Sequence, residues 1–290
     1  MPSSIACQQR EGGDLWAVIL DLDCAPPPIR VVSDLHLGHP KSRIGGVEGW
    51  LPLTEGAGTV LFNGDTWEGR VKERAHLASR AKLEQLQAAL ARRGVQALFL
   101  EGNHDPFGWE HSLATFGAGQ VVVTHGHAVL EEVSPWSREV IWQREALRSL
   151  GPEGLPASLD PLLRRLQETR ARARAIKPLS RERGMGFRLW QRFRPDRQWQ
   201  IFLAIAQGSR RAMQFLQHFA PEARVMLSGH THWASVFQQG SRSIVNTGAF
   251  TVPSRSLVVD LQGSLVRVRE VERAGGEFRL GRDRAEIDLD

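Results

Sequence analysis

Ile29-Arg30-Val31-Val32-Ser33-Asp34-Leu35-His36 decides the fold: a short aliphatic, β-branched run changes abruptly into a carboxylate and an imidazole. The design returns four times. Residues 59–62 lead to Gly64-Asp65, 96–100 to Gly102-Asn103-His104-Asp105, 120–124 to His125-Gly126, and 224–227 to Gly229-His230-Thr231-His232. Each run is strand-like in length and composition, and 15–21, 235–238, 243–246, 256–260 and 264–268 read the same way. Leu77, Leu83, Leu86 and Leu90 predict a helix between the 59–62 and 96–100 strands, with Gly94 as its stop signal. Residues 133–220 are rich in Arg, Gln, Leu and Trp and read as several helices broken at Gly151, Pro152, Pro156, Pro178 and Pro195. The tail from Gly275 is expected to be polar and mobile. The pattern is an α/β core, one domain over 1–290, interrupted by a helical insertion at 133–220. Strand–turn units of this kind place reactive side chains at the carboxyl ends of strands, where clefts form in open α/β sheets.

The chain has 290 residues, 41% hydrophobic and 24% charged, enough to bury a sizeable core. Its longest apolar runs, such as 16–20, fall far short of the roughly 20 residues that span a bilayer. Disorder, collagen and an integral membrane protein are excluded. Gln8, Arg10, Glu11 and Asp14 interrupt any secretory pattern, and Cys7 and Cys24 are expected as thiols in a reducing compartment. The expected location is cytoplasmic, with peripheral membrane contact allowed. Four of the 37 basic residues are lysines; the rest are arginines. Residues 161–197 hold twelve basic side chains against three acidic ones, a local +9 when the whole chain is +5, so the remainder is −4.

The five polar segments offer oxygen and imidazole donors and no thiolate, a set suited to Mn, Fe or Zn. Singly, each has an ordinary reading as a turn or cap. Together they stand in order, each closing an apolar run, and hold five of the ten histidines. In an extended segment His230 and His232 share one face.

These motifs, in this order, resemble the calcineurin-like metallophosphoesterase superfamily, over roughly 29–130 and 222–268. The resemblance implies a four-layer α/β/β/α sandwich with a helical insertion and a two-metal site at the strand ends. It implies that Asp34, His36 and His232 bind one ion, Asn103, His125 and His230 the other, and that Asp65 bridges both. His104, held by Asp105, would be the non-ligand catalytic histidine facing the substrate phosphate. Two cations about 3.5–4 Å apart hold a bridging hydroxide and clamp phosphate oxygens. The expected cofactors are two divalent ions, Mn first, then Fe or Zn. The expected reaction is hydrolysis of a phosphodiester, pyrophosphate or phosphomonoester on a nucleotide or lipid-linked substrate.

Within the superfamily the motifs are nearest to the UDP-2,3-diacylglucosamine diphosphatase-like branch. His127 stands where that branch commonly has Asp, and His104 where its main enzymes carry Arg. Ser/Thr protein phosphatases fit less well, because 64–70 lacks their Asp-Arg-Gly ending. In the insertion, Phe187, Trp190, Phe193, Trp199 and Phe202 alternate with Arg188, Arg192, Arg194 and Arg197. One reading packs the aromatics on the core with arginines in water. The other is a cationic, apolar-floored cap in which Arg188 and Arg192 contact a phosphate-bearing ligand, or a surface that docks on anionic lipid. A nuclease using the basic insertion, and a non-catalytic binding protein on the same scaffold, are the competing functions. His39, His76, His111 and His127 read as supporting or surface residues, and His218 as structural.

Overall fold

A computed structural model describes residues 19–69, 73–130, 132–150, 158–177 and 195–290. Two six-stranded sheets face each other. The first has the order β1 (Ile19–Asp21), β5 (Leu113–Phe116), β6 (Val121–Thr124), β7 (Val225–Ser228), β9 (Arg242–Asn246), β8 (Ser235–Gln239). The second runs β12 (Glu277–Asp288), β11 (Leu265–Ala274), β10 (Leu257–Gln262), β2 (Ile29–Val32), β3 (Thr59–Asn63), β4 (Gln96–Leu100). The neighbours β2–β3–β4 are parallel, and so are β6–β7–β9.

Side-chain alternation builds the layers, since successive strand residues point to opposite faces. Ile29, Val31 and Leu61 of the second sheet meet Val121, Val123, Val225, Leu227 and Val245 of the first in a core between the sheets. The residues between them face outward. Val32, Val60, Phe62 and Val258 pack with Leu83, Leu86 and Leu90 of α1 (Glu73–Arg92). Val122, Met226 and Ile244 pack with Leu166 of α3 (Pro161–Ala175) and with Ala212, Met213, Phe215 and Leu216 of α4 (Pro195–Phe219). The architecture is the expected α/β/β/α sandwich. Each fully buried aliphatic or Phe side chain contributes about 1.5–3 kcal/mol.

The segment between β6 and β7 holds α2 (Arg138–Ser149), α3 and α4. Ser137 caps α2 through Val140 N–H, and Asp160 caps α3 through the N–H groups of Leu162 and Leu163. Helices from this segment therefore form the outer layer on the first sheet.

Four details differ from the sequence reading. Strand β5, only four residues long, was not anticipated. Leu77 lies on the solvent side of α1, 61% exposed. The tail is ordered: β12 pairs along β11 from Val266–Ile287 to Ala274–Glu277, and Phe278 is buried with its N–H donating to Gly49 O at 2.7 Å. As a sheet edge it carries charges such as Arg282, paired with Glu270 at 2.9 Å, so an ordered strand has the composition of a loose tail. Cys24 is disulfide-bonded, which removes the argument for a reducing compartment. No helix among the described residues is long and apolar enough to cross a membrane.

Candidate metal centre

The carboxyl ends of β2, β3 and β4 and of β6 and β7 converge, so the loops after five strands from two sheets share one space. Asp34 and His36 follow β2, Asp65 follows β3, Asn103 follows β4, His125 follows β6, and His230 and His232 follow β7. The backbone is bent hard to achieve this. Among the described residues, six non-glycine positions have positive φ, and five are Asp34, His36, Asp65, His230 and His232, at 49–68°. The left-handed conformation costs an L-residue about 1–2 kcal/mol, and such strain persists where surrounding structure over-determines it. Two glycines permit the close approach. A Cβ on Gly102 would collide with the Asp65 carboxylate, and one on Gly229 with that of Asp34.

The donors form two groups, Asp34–His36–His232 and Asp65–His125–His230, each with its ligand atoms within 4.8 Å of one another. Asn103 joins the second, its Oδ1 lying 3.3 Å from His125 Nε2. Asp65 stands between them: Oδ2 is 3.3 Å from His125 Nε2 and 3.7 Å from His36 Nε2. The structure thus brings together all seven residues expected as ligands.

The chemistry of these atoms fits a pair of cations. His125 Nδ1 donates to Asn63 O at 3.0 Å, so in the neutral ring Nε2 turns a lone pair toward two oxygens. His36 Nε2 lies 3.1 Å from His232 Nε2, with Asp34 Oδ1 3.2 Å from the latter. Asp34 Oδ1 and both ring nitrogens of His230 are buried without a hydrogen-bond partner. A divalent ion in each group would satisfy these atoms. Protonation is the alternative: burial opposes charge on His125, but Asp65 and Asp34 outweigh it and push the ring up to about 9. Burial and the positive His125 push His230 down to about 3, leaving the neutral imidazole that a metal requires. For Asp34 and Asp65 burial raises the pKa, and the surrounding imidazoles reverse it, holding both below the usual carboxylate range.

His104 lies beside this centre with a half-open side chain, and its orientation corrects the sequence reading. Asp105 does not touch its ring. Its carboxylate instead accepts from the backbone N–H groups of Asp65 (3.1 Å), Thr66 (2.8 Å) and Gly102 (2.8 Å) and from Trp109 Nε1 (3.2 Å), bracing two ligand loops together. Glu68 holds His104. One oxygen accepts from His104 Nδ1 at 3.0 Å and the other from His36 Nδ1 at 2.7 Å. Carboxylates only accept, so both Nδ1 atoms carry protons and both Nε2 atoms are turned away from Glu68. Burial lowers the pKa of His104, while the charges of Asp65 and Glu68 and the Glu68 hydrogen bond raise it above its ordinary value.

A cavity of about 420 Å³ opens on these groups. One wall is Asp65, Glu68, Asn103, His104, His230 and His232; the other is mostly apolar, Trp136, Ile176, Ile201, Ala204 and Ile205, with Ser134, Ser137 and Glu139 among them. Trp136 lies 4.9 Å from the His230 ring. The apolar wall thus comes from the segment between β6 and β7. Arg188 and Arg192 lie outside the described residues, and no Arg or Lys is among the described residues lining this cavity. Sequence reasoning missed Glu68, whose one signal was its place three residues after Asp65, and Trp136, which had none.

No family model matches the chain, and no curated protein does. Solved structures similar to it include a dimetal phosphatase from Danio rerio, at 12% identity over 91% of this chain and 100% of that one, TM-score 0.43. A phosphoesterase from E. coli is similar at 14% identity over 90% and 99%, TM-score 0.40. Vps29 from Entamoeba histolytica complexed with zinc is similar at 13% identity over 90% and 99%, TM-score 0.42. At overlaps this loose, the chemistry rests on this chain's own side chains.

Proposed function

We propose that this chain is a dinuclear metal-dependent phosphoesterase that hydrolyses a phosphodiester or pyrophosphate bearing one apolar substituent. The observation that carries the reading is Asp65 set between two donor groups, with His104 beside them in the same cavity. Asp34, His36 and His232 would hold one ion, Asn103, His125 and His230 the other, and Asp65 both; Mn, Fe and Zn all suit the donors. When bound, such ions supply Lewis acidity toward phosphoryl oxygens and bring the pKa of water toward neutrality.

The protein's own groups do the rest. Glu68 anchors Nδ1 of His104 and leaves Nε2–H to donate to a phosphoryl or leaving-group oxygen. The raised pKa keeps that proton in place nearer neutral pH, as a general acid needs. Asp105 fixes the backbone of Asp65 and Gly102, so the bridging carboxylate and the His104 loop hold one geometry. Trp136, Ile176, Ile201 and Ile205 exclude water from one side and accept an apolar group. Trp199 and Phe202, exposed and stacked at 5.4 Å on α4, would support peripheral contact with a lipid-borne substrate. A nuclease fits less well, because Arg165, Arg170 and Arg174 of the basic segment are committed to backbone carbonyls.

The test is a hydrolysis panel on Mn-reconstituted protein: nitrophenyl monoester, bis-nitrophenyl diester, UDP-diacylglucosamine and single-stranded DNA, with Asn103→Ala as control. Metal-dependent turnover of an ester with an apolar group, abolished in the control, is expected. Preference for DNA would overturn the substrate reading. Silence on every compound with two ions bound would overturn the enzyme.

A further inference from the structure

Resting on the two-metal reading, we infer that α3 is a positioning element for the second metal group, acting through an arginine clamp on the two loops that carry Asn103 and His125. The loop from Glu101 to His111 is closed at its base by Glu101 N–H donating to His111 O at 2.8 Å, and its carbonyls point toward α3. Arg170 takes two of them, NH2 to Trp109 O at 2.8 Å and NH1 to Glu110 O at 3.0 Å. One helical turn on, Arg174 Nε donates to Pro106 O at 2.9 Å. The same guanidinium of Arg170 lies 3.1 Å from the carboxylate of Glu101, which is 1% exposed and itself accepts from Ser112 Oγ at 2.5 Å. Near the other end of α3, Arg165 donates to Ala128 O at 2.9 Å and to Leu130 O, gripping the chain just after His125.

One helix thus reaches both loops of the Asn103–His125 group. No contact of this kind joins it to Asp34, His36 or His232, among the described residues. Planar, forked guanidinium groups suit the task, because one such as Arg170 serves a carboxylate and two carbonyls at once, which an ammonium cannot do at the same geometry. Leu166 roots α3 in the outer core, so the clamp has a rigid base. The consequence is asymmetric. Loosening α3 should disturb the second metal group more than the first, which the clamped loop reaches through the shared Asp65.

The test is calorimetric titration of metal-free protein with Mn²⁺ in the wild type, Arg170→Ala and Arg170→Lys, together with amide exchange across 101–111. Loss of a supporting hydrogen bond around a metal ligand weakens affinity about 10–100-fold. The expected result is that loss at one of two sites in Arg170→Ala, partial recovery in Arg170→Lys, and faster exchange confined to the loop. If Arg170→Ala fails to fold, Arg174→Ala, whose side chain is 40% exposed, carries the same comparison with a smaller effect. Equal weakening of both sites, or none with unchanged exchange, overturns the clamp. Neither readout depends on turnover, so a failed hydrolysis panel leaves this result standing on its own.

Discussion

Replacing Glu68 by Gln tests how one carboxylate serves two histidines. Glu68 accepts from Nδ1 of both His36 and His104, while glutamine brings one acceptor oxygen and one N–H donor. Whichever way the amide turns, one ring must move its proton to Nε2. If His36 did so it could no longer ligate, so metal binding selects the orientation with the amide oxygen on His36 and the NH₂ on His104. His104 then keeps Nε2–H but is held neutral and loses its charged partner. A hydrogen bond to a charged group contributes about 1.5–3 kcal/mol, which at about 1.4 kcal/mol per pH unit is about one to two units of titration. The expected result is two ions still bound, kcat lowered by about 100-fold, a typical general-acid contribution, and the alkaline limb of the rate profile moved one to two units toward acid. The assay is bis-nitrophenyl phosphate hydrolysis from pH 5 to 10 at saturating Mn²⁺, with stoichiometry from calorimetry. An unshifted limb with wild-type kcat would refute the reasoning.

Two further outcomes follow from Glu101 and from the apolar side of the cavity. Burial pushes the Glu101 carboxyl up to about 7 against Arg170, Ser112 and Arg174, from an ordinary 4.5. The native state therefore keeps its proton to higher pH than the unfolded chain, so stability is fullest below about 4.5 and falls by about 3 kcal/mol as pH rises to 7, at about 1.4 kcal/mol per unit. In urea melts of metal-free protein, Glu101→Gln should lack that portion of the decline; parallel pH curves would count against it. On the apolar wall, Ile205→Ala removes about three methyl-sized groups, ~2 kcal/mol at about 0.8 each. KM for an ester with an apolar group should rise about 30-fold with kcat unchanged, and KM for a dimethyl ester should not move.

The strands and the donor-bearing turns were readable because both are written locally: short aliphatic runs mark strands, and each polar segment follows its run within a few residues, while the sandwich and the sharing of donors between two ions came from the family resemblance. What escaped is written across distance. Glu68 gains its meaning only when the loop after β3 folds against His36 and His104. Asp105 sits next to His104 in sequence, yet backbone geometry turns it to Asp65 and Gly102. The excess positive charge of 161–197 carried no sign of its role at its start, where Arg165, Arg170 and Arg174 are absorbed by carbonyls that have no signature. Strand β12 misled for a different reason, since a charged edge strand and a loose tail share one composition.

The left-handed backbone at Asp34, His36, Asp65, His230 and His232 has a consequence for how this scaffold can change. At each position a glycine relieves the twist without steric cost, and an asparagine tolerates it better than most residues. Variants chosen only for surviving heat would therefore be drawn toward removing the ligands, and each gain in ruggedness would erase part of the centre. The reverse holds in a screen that demands turnover: the five positions would stay fixed while improvements collect in α1, the outer helical layer and the β11–β12 hairpin. Which residues drift under each regime would by itself separate the parts of this chain kept for chemistry from those kept for folding.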